Sequence, residues 1–306
     1  MSGRRRHGEG QAPAKLILSG EHSVVYGHPA VAIAVDRHTQ VRLKNREDSL
    51  PTAVLAAPCP IDARLRAAVC AVVPEHGLDV EVTGDIPIGR GMGSSASLAV
   101  ALVRAWADLQ GRSATFQQCH ERGFAVERVF HGTPSGVDHA VIARGGAVAY
   151  TRQAAGPAIT PLTCPNELPL VVLDSGTAGD TAELVAGVRN RRPDIDPILA
   201  QMGALTERFA RTLADAHLSE LGALMTENHT LLQRIGVSTP VLDRLVELAL
   251  AEGAVGAKLA GAGGGGVVIA LIEDQHRLIE AAHQAGYRAF AVRPVPPTDP
   301  EVEDAP

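Results

Sequence analysis

Pro87-Ile-Gly-Arg-Gly-Met-Gly-Ser-Ser-Ala-Ser97 is the stretch on which the reading of this chain turns. Gly89, Gly91 and Gly93 alternate along it, removing Cβ atoms where a backbone can curl with its N–H groups turned inward, which makes a cradle for an anion. Directly behind it, Leu98, Ala101, Leu102, Ala105, Trp106 and Leu109 recur at the spacing of one buried helix face, and Gly111 is placed to stop that helix. The cradle therefore feeds a helix N-terminus. Unpaired amides and the helix dipole favour phosphate there, and Ser94 and Ser95 are positioned to cap the helix or to ligate a magnesium ion. No lysine follows the last glycine, so this is not the common P-loop, and taken alone it also reads as a flexible loop before a buried helix.

Working outward, Lys15-Leu-Ile-Leu and Ala30-Val-Ala-Ile-Ala-Val read as buried strands. Between them Gly20-Glu-His-Ser-Val-Val-Tyr-Gly27 sets a Glu and a His on a turn, so that with Lys15 they would make a polar pocket; the plainer alternative is a solvated Lys and Glu with a hydrogen-bonded His. Val41 to Leu43 and Leu78 to Thr83 alternate as half-exposed strands, Ile61 to Val73 suits a helix, and Lys44 to Pro60 carries no pattern. A helix over Thr115 to Phe130 leads into the turn Thr133-Pro-Ser-Gly136, after which Asp138 starts a new element and Gly146 to Tyr150 is a strand. A second unit begins near Leu168. It reads as a strand (Leu170 to Asp174), helices from Thr181, Pro193, Leu218 and Pro240, two strands, a helix from Gln275 and a last strand from Ala289, an α+β layer on an antiparallel sheet. Gly261-Ala-Gly-Gly-Gly-Gly266 satisfies G-x-G-x-x-G, yet strand and not helix follows it; a glycine hairpin facing a ligand or the first domain fits better than a dinucleotide fingerprint.

The bulk properties bound the function. With 306 residues, 45% hydrophobic and 20% charged, the chain suits two globular domains, and aromatics at 3% imply an aliphatic core. A net charge of −6 argues against nucleic acid as a partner. Four cysteines without zinc-ligand spacing read as free thiols, and without a signal-length or membrane-length apolar run a cytoplasmic enzyme with no membrane partner is expected. Residues 1–11 and 294–306 read as disordered ends.

Three separated segments resemble the three motifs of the GHMP small-molecule kinases: Ala12-Pro-Ala-Lys15 through Gly27, the Pro87 to Ser97 loop, and Lys258-Leu-Ala-Gly-Ala-Gly-Gly-Gly-Gly266. Gly20 to Gly27, Glu127 to Asp138 and Thr181 to Asn190 are similar, within that family, to the mevalonate kinases. The resemblance implies an α+β fold of two domains. One is a ribosomal-S5-like α/β half over 12–167 and the other a ferredoxin-like half over 168–293, with the active site between them and, by analogy, a homodimer.

It also implies ATP with its phosphates over Gly89, Arg90, Gly91, Met92, Gly93, Ser94, Ser95 and Ala96, and Mg2+ on Ser95 and Glu127. Asp138 falls on the catalytic aspartate and Lys15 on its partner; either Asp138 accepts the proton of the attacking alcohol, or Lys15 stabilises the alkoxide while Asp138 orients the groups. Glu21, His22, Thr181 and Gly263 fall on the acceptor side. The implied reaction is ATP-dependent phosphorylation of the primary alcohol of mevalonate in isoprenoid precursor synthesis. The loop Asp174 to Asp180 departs from the pattern by lacking basic residues, so the acceptor's carboxylate would fall to Lys15, Arg90, Arg191 or Arg192. That keeps phosphomevalonate, the mevalonate 3-hydroxyl or a sugar open as the acceptor. A silent ligand sensor on the same fold is the remaining alternative, against which the joint presence of Lys15, Ser95, Glu127 and Asp138 speaks.

Overall fold

The computed structural model describes residues 6–48, 50–131, 136–153, 156–165, 167–215 and 217–298. The chain opens on a long antiparallel ribbon, β1 (His7–Ser19) and β2 (Pro29–Asn45), joined through a single 3-10 turn at Ser23–Tyr26. Then come β3 (Ala53–Ala56), α1 (Ala63–Cys70), β4 (Leu78–Gly84), α2 (Ser94–Leu109), α3 (Phe116–His131), α4 (Val137–Arg144), β5 (Ala147–Thr151) and β6 (Ala158–Leu162). β1 runs along one edge of β2; the other edge is shared, β4 pairing with the outer half at Thr39 to Asn45 and β5 with the inner half at Pro29 to Ile33. β3 and β6 complete this first sheet.

The second sheet holds β7 (Leu170–Asp174), β8 (Gly256–Ala260), β9 (Val267–Leu271) and β10 (Arg288–Val292). Its spatial order is β10-β7-β9-β8, antiparallel throughout, which is the ferredoxin-like arrangement. Between β7 and β8 lie α5 (Thr181–Asn190), α6 (Asp196–Asp215), α7 (Leu218–Arg234) and α8 (Pro240–Ala251), and α9 (Gln275–Gln284) precedes β10.

The period-2 alternation of the ribbon divides the interior in two. Leu16, Leu18, Val31, Ile33 and Val35 enter one core together with β7, β8, β9 and the helices α6 to α8. Ile17, Ala30, Ala32 and Ala34 enter another with α2 and α4. Small residues on the second face let α2 lie close: a Cβ on Gly10 would fall 2.2 Å from the Ala101 carbonyl oxygen, and one on Gly8 2.5 Å from that of Ala105.

Disorder over residues 1–11 is therefore corrected at His7 to Gln11, which are strand. Their order comes from the backbone ladder to Gln40 through Lys44 and from glycine packing, neither of which leaves an apolar pattern to read. The far end needs the same correction at residues 294–298. Asp36 and Arg37 are passed over where the ribbon shifts register between Pro13 and Ala14. The Asp36 N–H and carboxylate then bond the Arg293 carbonyl and N–H, at 3.0 and 2.8 Å. The chain continues as a strap: Val295 N–H donates to Ala34 O at 3.0 Å, and Thr298 N–H and Oγ1–H cover the last carbonyls of α4 at Arg144 and Ala143, at 2.8 and 3.1 Å. β3 lies within the unpatterned Lys44 to Pro60 region and β6 is a further strand, both short edge strands with little periodicity to display.

Two glycines test this packing with opposite signs. A Cβ on Gly256 would sit 2.0 Å from the Gly222 carbonyl oxygen of α7, so Gly256→Ala is expected to lower stability by about 1–3 kcal/mol, as overpacking does. Gly187 lies inside α5 with nothing near its Cβ position, so Gly187→Ala is expected to raise stability by about 0.5–1 kcal/mol. Thermal midpoints of the two variants should move in opposite directions.

Candidate active site

Gly89, Gly91 and Gly93 have φ of +70°, +81° and +76°, so the alternating glycines supply three left-handed residues that curl the loop ahead of α2. Gly93 is the N-cap of α2 and offers no side chain to the first-turn amides, while Ser94 and Ser95 occupy that turn half-buried. The loop is pinned on both sides. Lys15 N–H donates to Met92 O at 3.0 Å, and the Arg90 guanidinium lies 3.2 Å from Asp174 Oδ1 and donates to Gly176 O at 3.0 Å. Opposite, the turn between β8 and β9 presses in: a Cβ on Gly91 would be 3.1 Å from Ala260 O, and one on Gly266 2.9 Å from Arg90 O. The third glycine motif is thus a hairpin against the cradle, with strand β9 behind it.

Lys15 stands on β1 with its side chain 3% exposed, on the face turned to α2 and α4. It passes Gly93 so closely that a Cβ there would lie 2.9 Å from Lys15 Cγ. Its Nζ ends 3.0 Å from Oδ1 of Asp138, whose side chain is 27% exposed in the first turn of α4. The helix dipole favours a carboxylate at that position. A buried ammonium needs a partner of this kind, and the pair it makes sits at the rim of the anion cradle with the carboxylate open to an incoming group.

Glu21 and His22 lock the two halves together. Glu21 pairs with Lys258 Nζ through Oε1 and accepts from Asn228 Nδ2 at 3.1 Å through Oε2, so both oxygens are engaged within the protein. Lys258, fully buried on β8, also donates to Ile17 O and Leu259 O at 3.3 and 2.6 Å. His22 has φ +60°, the one left-handed non-glycine residue among those described, and its Nε2–H donates to Ala262 O at 2.9 Å. Burial holds its imidazole below the usual histidine range.

Thr181 opens α5 and is exposed beside its cap, Asp180, which accepts from Ala182 and Glu183 N–H at 2.9 and 3.1 Å. That loop abuts Gly263, whose carbonyl oxygen would be 2.2 Å from a Cβ on Gly179. Of the basic residues weighed for a carboxylate, Arg191 donates to Arg234 O at 3.1 Å, and Arg192 grips Asp196 at 2.5 and 2.9 Å beneath the Tyr26 ring.

Glu127, on α3, is buried and bonds His139 Nδ1 at 2.8 Å through Oε2, while Ser95 stands on the neighbouring α2. The described residues contain no cluster of three or more His, Cys, Asp or Glu side chains fit to hold a metal. Sequence reasoning gave no role of their own to Lys258 and Asp174, which it quoted within a motif and a loop, nor to Asn228 and His139. Only Lys258 carried a signal, a charged residue inside the apolar strand Gly256–Ala260.

Comparison with known proteins gives the family. The model of the GHMP kinases N terminal domain matches residues 63–146, and that of the GHMP kinases C terminal matches 209–291. The chain belongs to the GHMP kinases. The first matched span holds the cradle, Glu127 and Asp138; the second holds Lys258 and the glycine hairpin. A mevalonate kinase of Pyrococcus horikoshii is 37% identical, the match covering 89% of this chain and 90% of that one. The crystal structure of L. major mevalonate kinase in complex with R-mevalonate superposes with a TM-score of 0.82 at 28% identity, covering 94% of this chain and 96% of that one. That of the Methanococcus jannaschii mevalonate kinase gives 0.82 at 26% identity, covering 96% and 100%.

The buried pair of this GHMP kinase predicts a non-additive pattern. Lys258→Met leaves Glu21 buried without its cation and is expected to cost about 3–5 kcal/mol, while the double variant with Glu21→Gln should recover part of it. Urea midpoints of the two singles and the double measure this coupling.

A second expectation concerns acid. Burial, with His139 adding to it, lowers the His120 pKa to about 4, and burial also lowers those of His22 and His229. The unfolded chain protonates near 6.5 and each folded site only at lower pH, so the unfolded chain binds more protons and stability is expected to fall as pH drops below about 6.5, the His120 share of that fall extending to about 4. His120→Phe should flatten part of that fall in melts run across this range.

Proposed function

We propose that this GHMP kinase is a mevalonate kinase, transferring the γ-phosphoryl group of ATP to the primary hydroxyl of mevalonate, and that it acts in the cytoplasm. The observation that carries the reading is the pair Lys15 and Asp138, 3.0 Å apart beside the glycine cradle. The kinship in sequence and structure supports the acceptor, since the relatives named above are mevalonate kinases over nearly their whole length.

Amides of Gly89 to Ser95 and the start of α2 would hold the phosphates. Ser95 and Glu127 would hold Mg2+; a hydroxyl and a carboxylate, hard oxygens and few, suit an ion that keeps phosphate and water oxygens around it. When bound, the ion draws off negative charge from the transferring group. The acceptor oxygen forms its bond to phosphorus as the bond to the bridging oxygen breaks and ADP leaves. Asp138, the exposed member of the pair, takes the hydroxyl proton, and Lys15 offsets the charge on the oxygen from the buried side.

ADP release with Mg-ATP and mevalonate, phosphomevalonate or galactose tests the reading. Turnover is expected on mevalonate, with Asp138→Asn lowering kcat by about 10²–10⁴-fold while ATP binding persists. Turnover confined to another acceptor would replace the substrate, and a loss under tenfold in Asp138→Asn would remove the assigned role.

A further inference from the structure

His139 directly follows Asp138 on α4, yet its ring points away from solvent and is fully buried. Its Nδ1 lies 2.8 Å from Oε2 of Glu127, itself buried on α3. A carboxylate accepts, so the imidazole donates from Nδ1 and is left with Nε2 as its other nitrogen. That Nε2 is buried and finds no hydrogen-bond partner among the described residues. The ring is clamped instead: the His120 ring stands over it at 4.5 Å and the Phe124 ring meets it edge-on at 5.3 Å, both from the helix that carries Glu127. The imidazole therefore has one polar task. Its place in sequence gives that task a meaning, because one helical turn presents Asp138 toward Lys15 and His139 toward Glu127.

We infer that His139 is a positioning residue for the transfer, its Nδ1–H orienting the Glu127 carboxylate and tying it to the helical turn that bears Asp138. The inference rests on the proposed roles of Glu127 at the metal and of Asp138 at the acceptor. The bond joins the two helices, α3 and α4, that bear the two carboxylates, and it adds a polar tie to the ring contacts of His120 and Phe124 with His139. With it, the carboxylate toward the phosphates and the carboxylate toward the hydroxyl share one rigid unit. Losing a partner that orients a metal-binding group typically costs about 10–100-fold in metal affinity or activity.

The chemistry of the bond dictates the variants. An Asn amide nitrogen occupies nearly the place of imidazole Nδ1, whereas a Gln amide nitrogen reaches toward the place of Nε2, and Leu donates nothing. Binding of Mn2+ to the enzyme with ADP, followed by electron paramagnetic resonance without turnover, is the first readout; kcat on mevalonate is the second. His139→Leu and His139→Gln should each weaken Mn2+ binding and lower kcat by about 10–100-fold, and His139→Asn should recover most of both. Circular dichroism of each variant reports folding, and should Leu prevent it, the Asn and Gln pair carries the same contrast. Mn2+ binding in folded Leu and Gln variants equal to that of the unaltered protein, or Asn failing as badly as Gln, overturns the inference. If the unaltered protein binds Mn2+ through Glu127, as judged by Glu127→Gln, but leaves mevalonate untouched, the substrate reading falls while the Mn2+ contrast still decides the role of His139.

Discussion

Everything in this molecule is hung on the β1 and β2 ribbon, because its two faces belong to two different cores. Leu16, Leu18, Val31, Ile33 and Val35 are walls of the second domain as much as of the first. The alanines between them admit α2 and α4 on the other side. Hydrophobic burial thus joins the halves through the middle of a strand pair, and the site need not supply that adhesion itself. Lys15 is the exception to an apolar strand, and its parity decides its use. It falls on the face of Ile17, so that its amine emerges between the start of α2 and the first turn of α4, where Gly93 and Asp138 receive it.

Around that point the polar contacts form a second frame. Arg90 to Asp174, His22 to the Ala262 carbonyl, and Glu21 to Lys258 and Asn228 all run from the first domain to the second, and those at Glu21 and His22 are buried. In a dry setting such bonds are strong only if complete, and both oxygens of Glu21 are engaged. The contrast with Asp138 is instructive. Of the two carboxylates that the first motif region and α4 contribute, Glu21 spends both oxygens on partners in the second domain, while Asp138 is half-buried with Oδ1 on Lys15.

Much of this is legible in the sequence. Alternate glycines declared the left-handed loop, the apolar stripe from Leu98 to Leu109 declared α2, and the strand after Gly266 spoke against a dinucleotide fold. Likeness to a family supplied Lys15 and Asp138, which spacing alone could not have paired across β1 and α4. What escaped were interactions whose partners lie far apart and carry no periodicity: the ladder that orders His7 to Gln11, the glycine contacts of Gly8 and Gly10 with α2, and the bond from His139 to Glu127. Glu21 shows the limit from the other side. Its place beside His22 is visible in the sequence, but the lysine it pairs with is 237 positions away.

The strap from Arg293 to Thr298 has a consequence for the order in which the protein can be made. A ribosome releases the first domain long before it reaches these residues, and domains begin folding as they emerge. Yet the Arg144 carbonyl at the end of α4 and the Asp36 N–H and carboxylate at the bulge receive partners from the strap, and the Ala143 carbonyl shares Thr298 with Arg104. The far end of the helix that carries Asp138 therefore takes partners that lie 154 and 155 positions further along the chain. A nascent chain can hold a nearly complete first domain while the far end of α4 still lacks those bonds, so that end of the helix waits until the second domain has been synthesised.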